Sequence, residues 1–569
     1  MINRVSFLLS IVVFVSILNS GILHSQVELV DVRNPVYNYL KRMELMKIIP
    51  EYNSANIPLP RSEVAKYLLI IKEDFKKLNA TDKNIFTDYE IEFEYDMYST
   101  NKNRYSVLSK SNLKNIFNDE KQKNLFYYTD SNKTFFSNVF GALNQYGSDG
   151  DSVSPNSNSS MFKGIVGFNV RGIVFKNAGY YLSVSNESTE EYNFSELSYS
   201  ELPDTIINYE NYYNNYFLKN RFSPFEGYFR YQTNTNWLGL TFGRIRLNQG
   251  KSYIDNLYLS NNTTPFDFGK LDINYKAVNY SFTYGSINGD SVGRHLSAKN
   301  IATHYLNLTF SEAFKLGLWE AVIISNQPFS FTYLNPVSFL TSADLSSGNE
   351  QTTENNAMMG IDLELIPFKN FSFQTSLLID DLTFGTLFED DSLNENKFGW
   401  QLGTLWTNSF NIKNMNFAFE YTHLDPFVYS HRTNKSTYTN NNRSLGHALP
   451  PNSDEIAFKI NYDITSRITL DFLYQYQRSG TGIILDSSGK ITANYGGNIN
   501  FGLGDAYLRT NGFLDGIRIN RNIFSAGVLF QPIRQFFLSG QFQYIISDNI
   551  TNDIEFNDLY YNANIVIEL

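Results

Sequence analysis

The sequence predicts an all-β transmembrane fold: an antiparallel outer-membrane β-barrel of roughly sixteen to eighteen strands with a small N-terminal α-helical periplasmic segment. Three observations predict it. The first is composition: 39 Tyr and 47 Phe raise the aromatic content to 16% while charged residues make up only 18% of the 569, yet mean hydropathy stays negative at −0.30. A soluble domain rarely combines so many rings with so few charges. The second is that, beyond the first 25 residues, no run of about twenty apolar residues occurs, so membrane contact falls to strands. The third is a period of two, interrupted by connections that are alternately short and long.

Taken in order, residues 1–25 read as a secretory signal peptide. Arg4 precedes an apolar run from Val5 to Leu18, and small and polar residues lead to Ser25-Gln26, with a second candidate cut at Gly21. This predicts export to the cell outer membrane and cleavage. The chain contains no cysteine, which excludes a disulfide, a lipid-anchoring thiol and a thiolate metal site. Its net charge of −11 argues against nucleic acid as a partner, because phosphate binding needs a basic surface.

Residues 26–86 carry a helical period and are expected to form a periplasmic plug. Asn34-Pro35 has the form of a helix start, followed by Val36, Leu40 and Met43 on one face. A second helix opens near Pro60, with Val64, Leu68, Ile71, Phe75 and Leu78 in one apolar stripe. Helices this short need a packing partner, and the barrel mouth is the expected one.

Residues 87–569 are assigned to the barrel. Tyr89 to Met97 reads as a strand, and the polar stretch from Ser99 to Lys123 gives it no clear neighbour. In the last strand Leu559, Tyr561, Ala563, Ile565, Ile567 and Leu569 alternate with Tyr560, Asn562, Asn564 and Glu568. The segments Phe536–Tyr544 and Ile468–Gln477 alternate in the same way. An apolar face opposite Gln, Asn and Asp fits a lipid-facing wall around a wet interior. Working back from a periplasmic C-terminus, Gln531–Arg534, Asp463–Ser466, Phe410–Ile412, Pro367–Lys369 and Thr233–Asn236 read as short turns. Ser479–Asn520, Leu424–Ser453, Leu382–Asn396, Asn326–Asn356 and Leu247–Gly269 read as long external loops. The chain ends on Leu569 where many such barrels end on an aromatic.

No catalytic constellation is marked. The five histidines after the leader (His295, His304, His423, His431 and His447) match no hydrolase or metal-ligand spacing, and His423 with Asp425 also reads as a rim ion pair. No cofactor or metal is expected. Charge placement is more informative: Gly227–Ile254, Ser291–Ser311 and Phe427–Ser453 contain no Asp or Glu. Their basic groups and interleaved tyrosines suit an acidic glycan, with rings stacking on sugar faces and Arg pairing carboxylates. The candidate polysaccharide-binding residues are Arg244, Arg246, Lys251, Arg294, Tyr429, His431, Arg432, Tyr438, Arg443 and His447. The competing reading is that these charges balance lumen acids or meet lipopolysaccharide phosphates.

These stretches resemble the capsule assembly protein Wzi family. The resemblance rests on GRIRLNQGKSYIDNLYLSNNTTPFDF (Gly243 to Phe268), LNLTFSEAFKLGLWEAVIISNQPFSFTYLNPVSF (Leu306 to Phe339), and EYTHLDPFVYSHR with SLGHALPPNSDE (Glu420 to Glu455). The helical pieces LKRMELMKIIP and IPLPRSEVAKYL fit it as well. It implies a barrel of about eighteen strands with a helical bundle at the periplasmic mouth, and a role in holding capsular polysaccharide at the cell surface. The expected partners are therefore capsular or other surface polysaccharide, lipopolysaccharide and outer-membrane lipid, and periplasmic polysaccharide export machinery. A porin or substrate-selective channel is the alternative function, and an outer-membrane hydrolase a weaker one.

Overall fold

In the computed structural model the described residues are 26–569 apart from 110–112, 131, 152–158, 193–224, 263, 293–294, 326–330, 342–354, 382–395, 432–433, 442, 486, 488–490, 502–507 and 510–511. The leader expected at residues 1–25 lies outside them. The barrel begins with β1 (Thr134–Gly150), β2 (Ser159–Val174), β3 (Ala178–Tyr192), β4 (Phe225–Gln232), β5 (Leu238–Ile245) and β6 (Phe266–Tyr275). It continues with β7 (Val278–Val292), β8 (His295–Ser311), β9 (Phe314–Ser325), β10 (Asn356–Phe368), β11 (Phe371–Asp381) and β12 (Lys397–Thr407). The last six are β13 (Met415–Leu424), β14 (Ser453–Thr465), β15 (Ile468–Thr481), β16 (Ile517–Ile533), β17 (Phe536–Asn549) and β18 (Ile554–Glu568).

Every strand runs antiparallel to its neighbours, and β18 closes on β1 through pairs such as Ile567↔Gly141. Closure leaves no unpaired edge. The short strand Phe126–Thr129 only braces the foot of β1. The alternation is explicit in β18, where Tyr561 and Ile565 are 43% and 45% exposed on the lipid side while Asn562 and Asn564 are 4% and 6% exposed toward the lumen. The short turns fall where the sequence places them, and so do the connections read at Leu247–Gly269, Leu424–Ser453 and Ser479–Asn520; nearly all of the Leu382–Asn396 loop and most of Asn326–Asn356 lie outside the described residues.

Four helices form the N-terminal module: α1 (Val36–Leu45), α2 (Arg61–Glu73), α3 (Ala80–Glu92) and α4 (Glu94–Tyr98). The Asn34 carboxamide accepts from the Val36 amide at 2.9 Å, and Asn79 caps α3 by accepting from Asp82 N at 2.9 Å. Two expectations are corrected here. Tyr89–Met97 is helical: its alternating rings imitate a strand, but Phe93 is buried beneath the Arg61 guanidinium, 4.2 Å from the ring centroid, and Tyr95 is buried too. The helical part therefore runs to Tyr98, and the barrel wall starts at β1.

The second correction concerns the apolar stripe. Val64, Leu68, Ile71 and Leu78 pack against Val36, Leu40, Met43, Phe86 and Phe93 of the module itself, so its apolar partner is internal. The contact with the barrel is partly apolar, Ala55 and Leu29 joining the lumenal core and Tyr95 packing on Phe136 of β1 with centroids 5.9 Å apart, and partly ionic. Arg42 bridges Asp82 at 2.5 Å and Asp463 of β14 at 2.6 Å. Lys41 reaches Glu364 of β10 at 2.5 Å, and Lys315 of β9 pairs with Glu44. At the turns, Asp88 takes Arg467 at 3.0 Å and Arg534 at 2.5 Å. Where the module meets the polar part of the lumen wall, buried charges need such partners.

Candidate functional site: a half-filled lumen

The connection from β5 to β6 starts and ends at the external rim but descends through the lumen to the helical module. Asn248 and Gln249 pair with Ile57 and Asn56, and the Gln249 carboxamide donates to Asn56 at 2.8 Å and to Ser281 of β7 at 2.7 Å. Glu420 of β13 fixes the bend by accepting the amides of Tyr253, Ile254 and Asp255 at 3.0, 3.3 and 3.2 Å. Farther along, Tyr258 stacks on Tyr305 and Trp319, with centroids 5.6 and 4.6 Å away.

The β13–β14 connection caps this loop. The Asp255 carboxylate accepts from Ala448 N at 2.7 Å and from Asn262 Nδ2 at 2.8 Å, and His447 Nδ1 lies 3.7 Å from it. Tyr429 donates its hydroxyl to Leu257 O at 2.6 Å, takes Asp380 on its amide at 2.5 Å and stacks on Tyr438 at 5.5 Å. One apolar core, including Ile301, Tyr305, Trp319, Ile323, Val428 and Leu445, fills the lumen inside β4–β13.

Beside β14–β18 the lumen stays hollow, with a cavity of about 810 Å³, inside the range of about 300–1,000 Å³ typical of small-molecule sites. Its floor includes Arg33, Tyr89 and Glu92 of the helical module, and its roof Asn262, His447 and Leu449 of the two loops. The wall carries Gln475, Gln477, Gln541 and Gln543, with Lys459 and Arg521 among them. Glu455 orders two of these amides, accepting from Gln475 at 2.8 Å and Gln477 at 2.6 Å. Among the described residues neither Lys459 nor Arg521 has a salt bridge within 4.0 Å; Arg521 reaches Ser479 Oγ at 3.5 Å and is attracted by Asp558 at longer range. A row of amides with two cations presents donors and acceptors in the mixture that sugar hydroxyls and acidic substituents require.

The residues singled out from sequence do not gather in one place. Tyr429 and Tyr438 are fully buried between the loops and His447 is 2% exposed, so their expected role of stacking on or contacting sugar is corrected to loop packing. Arg246 is buried in a cleft with Asp31, Tyr181 and Tyr228. Lys251 is buried deep in the lumen, and burial pushes its amine down to about 8, with Glu364 opposing the shift. Arg244 faces outward and is held by Asp267 at 2.5 and 2.9 Å. His431 and Arg443 are half-buried in the cap. Arg294 and Arg432 lie outside the described residues. The cavity wall went unread as a site because its amides follow the ordinary alternation of barrel strands; the density of Gln at inward positions of β15 and β17 was the available signal. His423 pairs with Asp425 at 3.0 Å, but its ring packs on Trp400 and Phe513 and lies on the face of β13 opposite Glu420 and Thr422. Among the described residues no group of His, Asp and Glu forms a metal-binding arrangement.

The fold and this lumen define a class: an outer-membrane β-barrel stoppered by a helical module and by its own inward-folded loops. Residues 143–503, well over half of the chain, match the family described as Capsule assembly protein Wzi, and the chain belongs to that family. Among solved structures it is similar to Wzi of Escherichia coli, an outer-membrane carbohydrate-binding β-barrel involved in group 1 capsule assembly. The TM-score is 0.54 at 14% identity, covering 95% of this chain and 99% of that one. OpdK of Pseudomonas aeruginosa, solved with vanillate, gives a TM-score of 0.44 at 9% identity over 76% of this chain and 99% of that one. A BenF-like porin of Pseudomonas fluorescens gives 0.42 at 8% identity over the same shares, 76% and 99%. A search of curated protein sequences finds no match.

Proposed function

We propose that the protein binds surface polysaccharide, capsular or similar, at the external end of the barrel and takes part in its assembly without making or breaking bonds. The observation that carries this reading is the chamber beside β14–β18, walled with amides, supplied with Lys459 and Arg521, and floored by the helical module. A floored chamber suits retention of a solute better than its passage, which sets the channel reading second. Family membership supports the role in capsule assembly, and the carbohydrate binding described for Escherichia coli Wzi supports the ligand class.

In this reading a segment of the polymer meets the cap at the half-buried Arg443 and His431 and reaches the amide row below, and Arg294 and Arg432 remain candidates from the sequence alone. His423, paired with Asp425 and packed on Trp400 and Phe513, serves as a rim ion pair. Export uses residues 1–25 as a cleaved leader, residues 26–98 form the plug domain, lipopolysaccharide surrounds the wall, and the periplasmic export machinery meets the helices.

The test is polysaccharide retention in a deletion strain complemented with the Lys459→Ala/Arg521→Ala pair. Each lost charged hydrogen bond costs about 1.5–3 kcal/mol of binding, so polymer is still made but shifts from the cell surface to the medium. Unchanged retention in both the deletion strain and the variant overturns the binding role. Porin-like conductance of the purified protein in a planar bilayer promotes the channel reading instead.

A further inference from the structure

The connection between β9 and β10 is described over Phe331–Thr341. This part lies down along the outside of the wall. Tyr333 and Leu340 are buried against Ala302 of β8 and Val322 and Ile324 of β9, whereas Ile301 and Ile323, one residue away on the same strands, belong to the lumenal core. The pleat sends neighbouring residues to opposite faces, so this segment covers the lipid side.

Its polar groups are met by the protein. Glu320 of β9, on the same outward row, accepts the Leu340 amide through both oxygens at 3.0 Å and pairs with His304 Nδ1 at 2.9 Å. Tyr280 donates its hydroxyl to the Pro336 carbonyl. The Asn335 side chain accepts from Val337 N at 3.1 Å, and its carbonyl accepts from Ser338 N at 3.3 Å. What the segment turns outward is apolar: Phe331, Val337 and Phe339 are 82%, 90% and 52% exposed.

Height follows from strand register. Glu320 is the seventh residue of β9 from its periplasmic end, and Trp400 and His423 stand eighth and ninth on β12 and β13. Those two rings stack in the outer aromatic cluster, the level at which such rings meet lipid headgroups. Below Glu320 the same outward row continues as Leu318 and Leu316. We propose that Phe331–Thr341 is a membrane-embedded strap, anchored by Glu320, whose Phe331, Val337 and Phe339 side chains insert among acyl chains of the outer leaflet. Unpaired backbone polar groups are costly in lipid, which is why this irregular segment draws on Glu320, Tyr280 and Asn335. The strap rests on the barrel fold and not on the polysaccharide reading, and it places Phe331–Thr341 away from the polymer-facing surface.

The chain has no cysteine, so Val337→Cys gives a single labelling position on an exposed side chain. A nitroxide placed there, in barrel reconstituted into vesicles carrying lipopolysaccharide, is expected to collide more with oxygen than with a water-soluble nickel chelate. Leu318→Cys supplies the lipid reference, and Asn552→Cys, in the external turn between β17 and β18, supplies the aqueous one. Adding Glu320→Gln to Val337→Cys is expected to raise label mobility. An aqueous ratio at Val337 overturns the proposal. So does protection from both reagents with spin–spin broadening, which assigns the face to a second copy. Unchanged mobility in the Glu320→Gln background removes the anchor.

Discussion

The two halves of the lumen obey the same strand alternation and end in opposite states. Inside β4–β13 the inward row carries Ile301, Tyr305, Trp319 and Ile323, and two external loops fold down onto it and leave a dry core. Inside β14–β18 the inward row carries Gln475, Gln477, Gln541 and Gln543, and no loop descends along it among the described residues. The difference lies in what an inward side chain offers an arriving loop. Apolar rings return about 25 cal/mol for each Å² of apolar surface they help remove from water. An amide returns little, because its bonds to water are exchanged for bonds of similar worth. Filling the first half positions the roof over the second, so the packed half gives the hollow half its shape.

This comparison predicts unequal responses to truncation. Tyr258→Ala removes the ring that stacks on Tyr305 and Trp319 and leaves a void in the packed half. The expected loss is about 3–5 kcal/mol, the range for large aromatic truncations in cores. Gln541→Ala in the hollow half removes one carboxamide contact to Asn562, 3.1 Å long, and is expected to cost under about 1 kcal/mol. Heat-modified gel migration of the folded barrel across a temperature series checks both. Equal shifts for the two variants break the distinction between the halves.

A smaller effect sharpens it through pH. Lys251 sits inside the packed half with its amine pushed down from 10.5 to about 8, burial being the main cause. Between about 8 and 10.5 the unfolded chain therefore holds more protons at this position than the folded one, and stability contributed here rises with pH across that window. Below it the charged amine carries the full penalty, up to about 3 kcal/mol. Lys251→Met is expected to raise the melting temperature at pH 7 and to flatten the rise between pH 8 and 10.5 relative to wild type. An identical pH slope in the two proteins places the amine in water and the loop outside the lumen.

How much of this was legible depended on whether a property is local. The barrel, its turns and the helix starts at Asn34 and Pro60 follow from period and punctuation, which a strand or helix carries within itself. The alternation was clearest in β15, β17 and β18, all in the hollow half, where inward positions are polar. In β8 and β9 the inward Tyr305 and Trp319 face a loop and not water, so the contrast between faces fades. Charge balance was not local at all. Phe427–Ser453 lacks acids because its partners come from elsewhere: Asp380 from β11 takes the Tyr429 amide, and Asp255 from the β5–β6 loop faces His447. Of the residues read there as an open glycan surface, Tyr429, Tyr438 and His447 form the inner face of a loop contact. Tyr89–Met97 failed for the related reason that alternating aromatics bury equally well on a short helix end.

The smallest expected effect concerns Arg244, the candidate that neither half contains. It projects outward from β5, its guanidinium paired with Asp267 directly across on β6 and lying over the Phe225 ring at 4.7 Å. The acid is 58% exposed and the arginine 31%, and ion pairs this open contribute under about 1 kcal/mol because water and salt screen them. Arg244→Ala is therefore expected to leave barrel melting within that margin. Because the side chain points away from the cavity and the cap, cell-bound polysaccharide is expected to match wild type, while the Lys459/Arg521 pair releases it. Retention assays on the two variants in the same complemented strain decide the matter: loss of polymer with Arg244→Ala and none with the lumenal pair moves the binding surface from the hollow half to the outer rim.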